Sequence, residues 1–464
     1  MTIHKANKDV LAGPSQLASL SSTEDVHSLC KSTIIHAAAD SLTEPAKNEQ
    51  TPTIFQGLEN MCSASMGARI LFATDEWFAS ANNLLEDGPP IFDPDAFCEQ
   101  GKVMDGWETR RRREAGHDWC IIKLSHRAKI VGIEIDTAHF TGNNVPAISL
   151  EMADLNTEHE SIMVSGIPGV VQRILHGGDR GVGHTPEEVH EAEESCRRVE
   201  WKELLPVSPL RPGYEPTRMH YFNVSAMKGT HLRVNYFPDG GVARLRLRGR
   251  PIDAATKIIR PPYVPISTGK ICTVVHHKDT TSPPSQQVYE FPELSCSTYG
   301  GVVVDCSNKH YGHPQLLIQP TLGKDMGDGW ETARHPDRPA ILQRDPKTNL
   351  VDSPLMDWAI FKLGKAAPEG IARIILDTKH FRGNYPESVQ VEGCHDWEEF
   401  FPLIARTRMA ADAEHVFDRS LNQIENATRA VTHVRVSIYP DGGLSRVRIY
   451  GKPEDADAAR VKQA

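Results

Sequence analysis

The chain has 464 residues, of which 39% are hydrophobic and 24% charged, and its formal net charge is −10. This length predicts two or three domains, each able to bury a core of its own. A net-acidic chain is a poor binder of polyanions, and no apolar stretch reaches the ~18 residues of a membrane span, so we expect neither a nucleic-acid nor a membrane partner.

The first predicted element is a disordered N-terminal tail, residues 1–56, which is polar and rich in Ser, Thr and Ala. It shows no basic segment followed by an apolar segment, as a secretion signal would. The nine cysteines of the chain are scattered and form no CxxC pair, which argues against a disulfide framework or a zinc knuckle. These features predict a cytoplasmic protein with reduced thiols.

The rest of the chain contains the same blocks twice and in the same order. DGWET at Asp105 occurs again at Asp328, and DWCIIKL at Asp118 occurs again as DWAIFKL at Asp357. IDTAHFTGN at Ile135 occurs again as LDTKHFRGN at Leu376. WKELLP at Trp201 occurs again as WEEFFP at Trp397, and HLRVNYFPDGG at His231 occurs again as HVRVSIYPDGG at His433. This order indicates a tandem duplication. The predicted domains are repeat 1 (57–255, with a charged insertion at about 156–199), a Pro-rich linker (256–265), repeat 2 (266–455) and a C-terminal tail (456–464).

The segments within each repeat are short and alternate between apolar and polar residues. Leu232, Val234 and Tyr236 point one way, as the strand period of two requires. The Pro-Asp-Gly-Gly segment that follows has the turn chemistry of a hairpin, which would place Arg233 and Arg244 on one face of that hairpin. The Gly-rich and charged insertion predicts a surface excursion. These patterns predict an all-β protein of two tandem jelly-roll β-sandwiches.

Four consecutive arginines follow the first DGWET block, at Arg110 to Arg113, and such a run is typical of nucleic-acid binding. When the two repeats are aligned on DGWET, Arg111 corresponds to Arg334, whereas Arg110 and Arg112 correspond to other residue types. The repeated motif is therefore DGWET plus one arginine, and the arginine run is a local feature of repeat 1.

The polar residues present in both repeats supply the candidate chemistry. The candidate catalytic residues are His139, His380, Glu108, Glu331, Asp105, Asp328, Asp136 and Asp377. The candidate substrate-binding residues are Arg111, Arg334, Lys123, Lys362, Arg246 and Arg448. An Asp and a His three positions apart, at the end of a strand, could hydrogen-bond for acid–base work, could hold a divalent metal with a nearby Glu or Asp, or could form a satisfied structural loop.

Taken together, DEWFASANNLL, DGWETRR, DWCIIKL, IDTAHFTGN, WKELLP and YFPDGGVARLR, with their second copies, resemble the allantoicase family from about Gly57 to about Pro453. The resemblance implies two galactose-binding-like β-sandwiches, a homo-oligomer, and hydrolysis of allantoate to (S)-ureidoglycolate and urea in purine degradation.

For that reaction the histidines (His139, His380) would protonate the departing urea and the glutamates (Glu108, Glu331) would act as bases. An arginine would hold the substrate carboxylate. No cofactor is required by the sequence, although a divalent metal such as Mn²⁺ stays an alternative. A non-catalytic sandwich that binds a carbohydrate or an anion is the competing function.

Overall fold

The computed structural model describes residues 52–176, 178–252 and 291–454. The predicted linker, the C-terminal tail and residues 1–51 of the predicted N-terminal tail lie outside the described residues. At the end of that predicted tail, Phe55 is buried within repeat 1. The chain forms two compact units. The described residues up to 252, together with Pro339–Gln343, belong to the first unit, and the other described residues from 291 onward belong to the second.

The first unit consists mainly of antiparallel strands. They are β1 (Glu59–Asn60), β2 (Arg69–Ala73), β3 (Asp75–Glu76), β4 (Phe97–Cys98), β5 (Gly101–Lys102), β6 (Trp107–Glu108), β7 (Asp118–Asp136), β8 (Ala147–Ala153), β9 (Val182–Gly183), β10 (Lys202–Pro209), β11 (Met219–Phe237), β12 (Gly241–Val242) and β13 (Arg244–Pro251). Its helices are α1 (Thr157–Ser165), α2 (Val170–His176) and α3 (Pro186–Cys196), with 3-10 turns at Thr53–Phe55 and Ala81–Leu85.

The second unit is built in the same way and has no counterpart of the three α-helices among its described residues. Its strands are β14 (Val302–Cys306), β15 (Trp330–Glu331), β16 (Asp357–Ala367), β17 (Ile371–Asp377), β18 (Ser388–Cys394), β19 (Phe401–Arg408), β20 (Glu414–Asp418), β21 (Val431–Tyr439), β22 (Gly443–Leu444) and β23 (Arg446–Gly451). Its 3-10 turns are Ser297–Tyr299, Pro314–Ile318 and Arg419–Leu421. No described helix of the chain is long and apolar enough to span a membrane.

Two facing sheets make up the second unit. One has the strand order β14-β16-β21-β18-β19 and the other the order β20-β17-β23. Phe361 and Val436 of the larger sheet and Ile374 and Val447 of the smaller sheet join one apolar core. The structure therefore confirms the predicted all-β sandwich, with a core between the two sheets.

The first unit has the same strand neighbours, but its two long strands, β7 and β11, run through both halves. The first part of β7 pairs with the end of β11, where Ile122 lies opposite Leu232. The second part of β7 pairs with the beginning of β11 and, on its other side, with β13. The predicted inward-facing residues Leu232 and Val234 are fully buried in the core between these halves.

The predicted hairpin at Pro-Asp-Gly-Gly is wrong. Strands β11 and β13 do not pair with each other; each pairs with β7 on opposite sides. The turn carries the chain from one half of the sandwich to the other. It follows a cis Phe237–Pro238 peptide bond, and the corresponding bond of the second unit, Tyr439–Pro440, is also cis. Consequently Arg233 and Arg244 do not share a hairpin face.

The insertion of repeat 1 is also different from the predicted surface excursion. Its three helices cover the outer face of the sheet, where Met163, Ile167 and Val170 pack with Phe72 and Trp119. The charged residues of these helices occur on both sides, since Glu160 and Glu193 pair with Lys123 and Arg233 of the sheet. The composition of the segment therefore concealed an apolar face. The polar side of β11 is therefore buried as well.

Candidate functional site

The three repeated motifs meet at one end of the first sandwich, as their common recurrence suggested. The N–H of Thr109, in DGWET, donates to the carbonyl of Gly240 at 3.1 Å, and the N–H of Gly240 donates back to Thr109 Oγ1 at 3.2 Å. The N–H of Gly241 donates to the carbonyl of Asn143, in the DTAHF loop, at 2.8 Å. DGWET, the Asp-Thr-x-His-Phe loop and the Pro-Asp-Gly-Gly turn thus form one connected group, which we call the loop cluster.

The same loop cluster recurs in the second unit. Thr332 and Gly442 exchange the equivalent pair of hydrogen bonds, at 3.0 and 3.2 Å. Gly443 donates to the carbonyl of Asn384 at 2.8 Å. The repetition of these contacts means that the shared sequence preserves a backbone arrangement and not only a core.

A carboxylate–amide contact joins DGWET to the Asp-Thr-x-His-Phe loop in both units. Asn143 Nδ2 donates to Glu108 Oε1 at 2.8 Å, and Asn384 Nδ2 donates to Glu331 Oε1 at 2.8 Å. Glu108 is buried and Glu331 is half-buried. The contact fixes the orientation of each carboxylate at the meeting point of two loops. Sequence reasoning missed the two asparagines as site residues, although the Gly-Asn pair occurs in both repeats.

A further loop, which the sequence comparison did not align, completes each cluster. The indole Nε1 of Trp107 donates to the carbonyl of Asp75 at 2.7 Å, and Trp330 Nε1 donates to the carbonyl of Asn308 at 2.8 Å. The equivalence identifies DEWFAS at Asp75 with NKHYGH at Asn308. The signal in the sequence was an Asp or Asn at the first position of each loop. In the structure this side chain accepts a hydrogen bond from the backbone N–H two residues later, in Asp75 from Trp77 and in Asn308 from His310.

The first acidic residue of DGWET is held by a buried arginine. Arg244 donates to both carboxylate oxygens of Asp105, at 3.0 and 2.8 Å, and Arg446 donates to Asp328 Oδ2 at 2.9 Å. Both arginines are almost fully buried. Asp105 and Asp328 are therefore engaged in ion pairs, and these pairs fix the start of each DGWET strand.

The predicted hydrogen bond between Asp136 and His139 is not present among the described contacts. Asp136 accepts from the N–H of Ala138 at 2.8 Å and from Arg218 at 2.5 Å. Asp377 accepts from the N–H of Lys379 at 2.8 Å. In each unit the carboxylate is taken by the local turn instead of the imidazole, and burial raises the pKa of both carboxyl groups.

His139 and His380 share an unusual backbone conformation. Their φ angles are 69° and 72°, in the left-handed region that residues other than glycine rarely adopt. The ring of His139 is stacked on Phe92 at 5.1 Å, and His380 Nε2 lies 3.0 Å from the carbonyl of Gly323. The left-handed backbone at the same position in both units is a feature that often marks functional loops.

The arginine run is placed within the loop cluster of the first unit. Arg111 is buried, as is its counterpart Arg334. Arg110 pairs with Asp75 at 2.6 Å, and Arg112 pairs with Asp118 at 2.8 Å. Burial raises the pKa of Asp118 to about 6, while the nearby Arg112 guanidinium opposes this rise. The run thus contains paired structural arginines.

Lys123 and Lys362, two of the remaining predicted binding residues, lie away from the loop clusters. Lys123 lies five positions along β7 from Asp118, which is roughly 17 Å at ~3.4 Å per residue, and Lys362 lies equally far along β16. Lys123 is paired with Glu160 of α1. Arg246 donates to the carbonyl of Asp87.

Arg448, the counterpart of Arg246, pairs with Glu293 at 2.8 Å.

Among the described residues, no group of three or more His, Cys, Asp or Glu side chains is arranged to hold a metal ion.

The comparisons with known proteins agree with the repeated motifs. A family model described as "Allantoicase repeat" matches residues 59–252 and again residues 292–454. The chain belongs to the allantoicase family. A relative from Rhizobium meliloti (strain 1021), named "Probable allantoicase", is 34% identical over 88% of this chain and 97% of its own length.

Two more allantoicase relatives match over similar lengths. A protein from Acinetobacter baylyi of the same name is 34% identical over 87% of this chain and 97% of its own length. A crystal structure of allantoicase from Saccharomyces cerevisiae is 28% identical, covers 93% of this chain and 98% of that chain, and has a TM-score of 0.29. Membership of the family rests on the family model and the curated relatives.

Proposed function

We propose that the protein is a hydrolase that converts allantoate and water to (S)-ureidoglycolate and urea, with its chemistry at the loop clusters. The observation that carries this proposal is the Glu–Asn contact that joins DGWET to the Asp-Thr-x-His-Phe loop in both units of an allantoicase-family chain.

The reaction breaks the bond between the central carbon of allantoate and a ureido nitrogen. The nitrogen of the departing urea must gain a proton, and water must lose one as it attacks. Glu108 and Glu331, each oriented by an asparagine amide, are suited to act as the base. His139 and His380, on the adjacent strained turn, would supply the proton.

The substrate carboxylate requires a cation near these groups. Arg111 and Arg334 directly follow the DGWET strand and occupy the same position in both repeats. A guanidinium can hold a carboxylate through two parallel hydrogen bonds. We therefore assign them to binding of the allantoate carboxylate.

The test measures urea released from allantoate by the purified full-length chain and by Glu108→Gln, Glu331→Gln and the double variant. Glutamine keeps the size and one acceptor oxygen but removes the base, so turnover should fall by ~10²–10⁴ in each repeat that is catalytic. Unchanged urea release by a folded double variant would refute the assignment. Absence of urea release by the wild-type chain would refute the proposed function itself.

We further propose a cytoplasmic homo-oligomer that needs no added cofactor. The seven cysteines of the described part of the chain are all free, as a reducing compartment favours. Light scattering would measure the oligomeric state. Assays with EDTA, and with Mn²⁺ added back, would detect a metal requirement: loss on chelation and recovery with Mn²⁺ would replace the metal-free mechanism.

A further inference from the structure

A cross-strand Lys–His pair occurs at the same position in both units. Lys123 lies opposite His231 between β7 and β11, and Lys362 lies opposite His433 between β16 and β21. Both pairs lie far along their strands from the Pro-Asp-Gly-Gly turns and so at the end of the sandwich away from the loop clusters.

In the first unit this pair is occupied by a carboxylate of the insertion. Glu160, on α1, accepts from Lys123 Nζ, and its Oε1 lies 3.7 Å from His231 Nε2. The His231 ring and the Lys123 ammonium lower the pKa of Glu160 to about 2. Trp201, which aligns with Trp397 of the second repeat, is half-buried, and its Nε1 donates to the carbonyl of Cys196 in α3 at 3.0 Å.

In the second unit the equivalent residues face an open groove. The groove has a volume of about 770 Å³ and is lined by Lys362, His433 and Trp397 among others. Lys362 is exposed and its ammonium group has no hydrogen-bond or ion-pair partner among the described residues, and Trp397 is 54% exposed. No helix of the described second unit takes the place of α1.

The groove offers two kinds of contact together. The indole of Trp397 lies against the His433 ring, with the ring centroids 4.3 Å apart and the ring planes tilted by 36°, and 54% of the Trp397 surface is exposed. Lys362 provides a cation next to it. Asp396 and Glu454 also line the groove, and the Asp396 carboxylate lies 3.8 Å from His395 Nδ1. Volumes of ~300–1,000 Å³ are typical of small-molecule sites.

We propose that this groove binds a small planar organic carboxylate. Its carboxylate takes the place at Lys362 and His433 that Glu160 takes at Lys123 and His231, and its planar part lies on Trp397. The first unit supplies the evidence for the chemistry, because there the protein itself fills the same Lys–His pair with a carboxylate. The site is separate from the loop cluster, so it does not depend on the proposed function.

The experiment titrates the full-length chain with benzoate and with its neutral isostere benzamide, by calorimetry and by tryptophan fluorescence. Benzoate should bind with a Kd on the order of 1 mM and quench a fluorescence component that Trp397→Phe removes. Lys362→Gln should weaken binding about tenfold or more, since a hydrogen bond to a charged group is worth ~1.5–3 kcal/mol. Lys123→Gln is the matched control and should leave benzoate binding unchanged, because Lys123 is already held by Glu160.

Three results would overturn the proposal. Benzoate that binds Lys362→Gln as tightly as wild type is recognised elsewhere, for example by an arginine of a loop cluster. Benzamide that binds as tightly as benzoate shows that the carboxylate is not recognised. Self-association that Lys362→Gln abolishes shows that a second copy of the chain covers the groove in place of a small molecule. Thermal unfolding of each variant verifies that the fold is intact.

Discussion

The ion pair between α1 and the sheet of the first unit makes a stability prediction with a definite pH dependence. The pKa of Glu160 is lowered from 4.5 to about 2 in the folded chain. A lowered carboxyl pKa contributes stability above the unfolded value, and this contribution is lost as the pH falls through 4.5 toward 2. Replacing Glu160 by Gln should therefore destabilise the first unit at pH 7 and have less effect at low pH.

The magnitude follows from the shift and from the exposure of the pair. A shift of this size corresponds to at most ~3.5 kcal/mol at ~1.4 kcal/mol per pKa unit. The Glu160 side chain is 24% exposed and that of Lys123 is 31% exposed, so solvent screening reduces this to about 1–2 kcal/mol. For a unit of this size each kcal/mol shifts the melting temperature by ~2–4 °C, which gives a fall of about 2–8 °C.

The assay is thermal unfolding of wild type and Glu160→Gln between pH 7 and pH 3. The difference in melting temperature should narrow progressively below pH 5. Glu158→Gln is the matched control, because Glu158 lies in the first turn of the same helix and is exposed. A difference that stays constant from pH 7 to pH 3, or an equal effect of Glu158→Gln, would refute the assignment of this ion pair.

The remaining predictions concern the loop clusters. Arg446→Met should lower the free energy of unfolding by ~2–4 kcal/mol, since it removes the partner of the partly exposed Asp328 carboxylate and three hydrogen bonds to backbone carbonyls. Arg446→Lys should not rescue it, because lysine lacks the planar fork; thermal unfolding that matches wild type would contradict this. His139→Ala and His380→Ala should lower kcat by ~10²–10⁴ in each catalytic unit with a smaller change in KM. If the double variant keeps its kcat and only melts earlier, the histidines are structural.

The sequence predicted the features that depend on local pattern or on repetition. The period-two alternation at Leu232 and Val234 correctly assigned the core face of β11. It could not reveal that the opposite face is also covered, because Met163, Ile167 and Val170 belong to an insertion of repeat 1 that has no counterpart among the described residues of repeat 2. Composition alone does not distinguish a helix that packs on one side from an exposed loop.

Contacts between residues distant in sequence were not predictable. The Pro-Asp-Gly-Gly turn has the residues of a hairpin turn, but the strand after it, β13, does not pair with the strand before it. Strand β13 pairs with β7, which lies more than a hundred residues earlier in the chain. The spacing of Asp136 and His139 permits a hydrogen bond, yet Arg218 and a backbone N–H compete successfully for the carboxylate. These outcomes depend on tertiary neighbours that no motif encodes.

The continuous strands of the first unit affect how that unit opens. Since β7 and β11 belong to both halves of the sandwich, separating one half disturbs hydrogen-bond ladders of the other. In the second unit β7 corresponds to two separate strands, β16 and β17, and β11 corresponds to β20 and β21. Its two sheets therefore share no strand. Amide hydrogen exchange should therefore report one cooperative opening unit in the first repeat. In the second repeat the β20-β17-β23 sheet should exchange ahead of its larger partner.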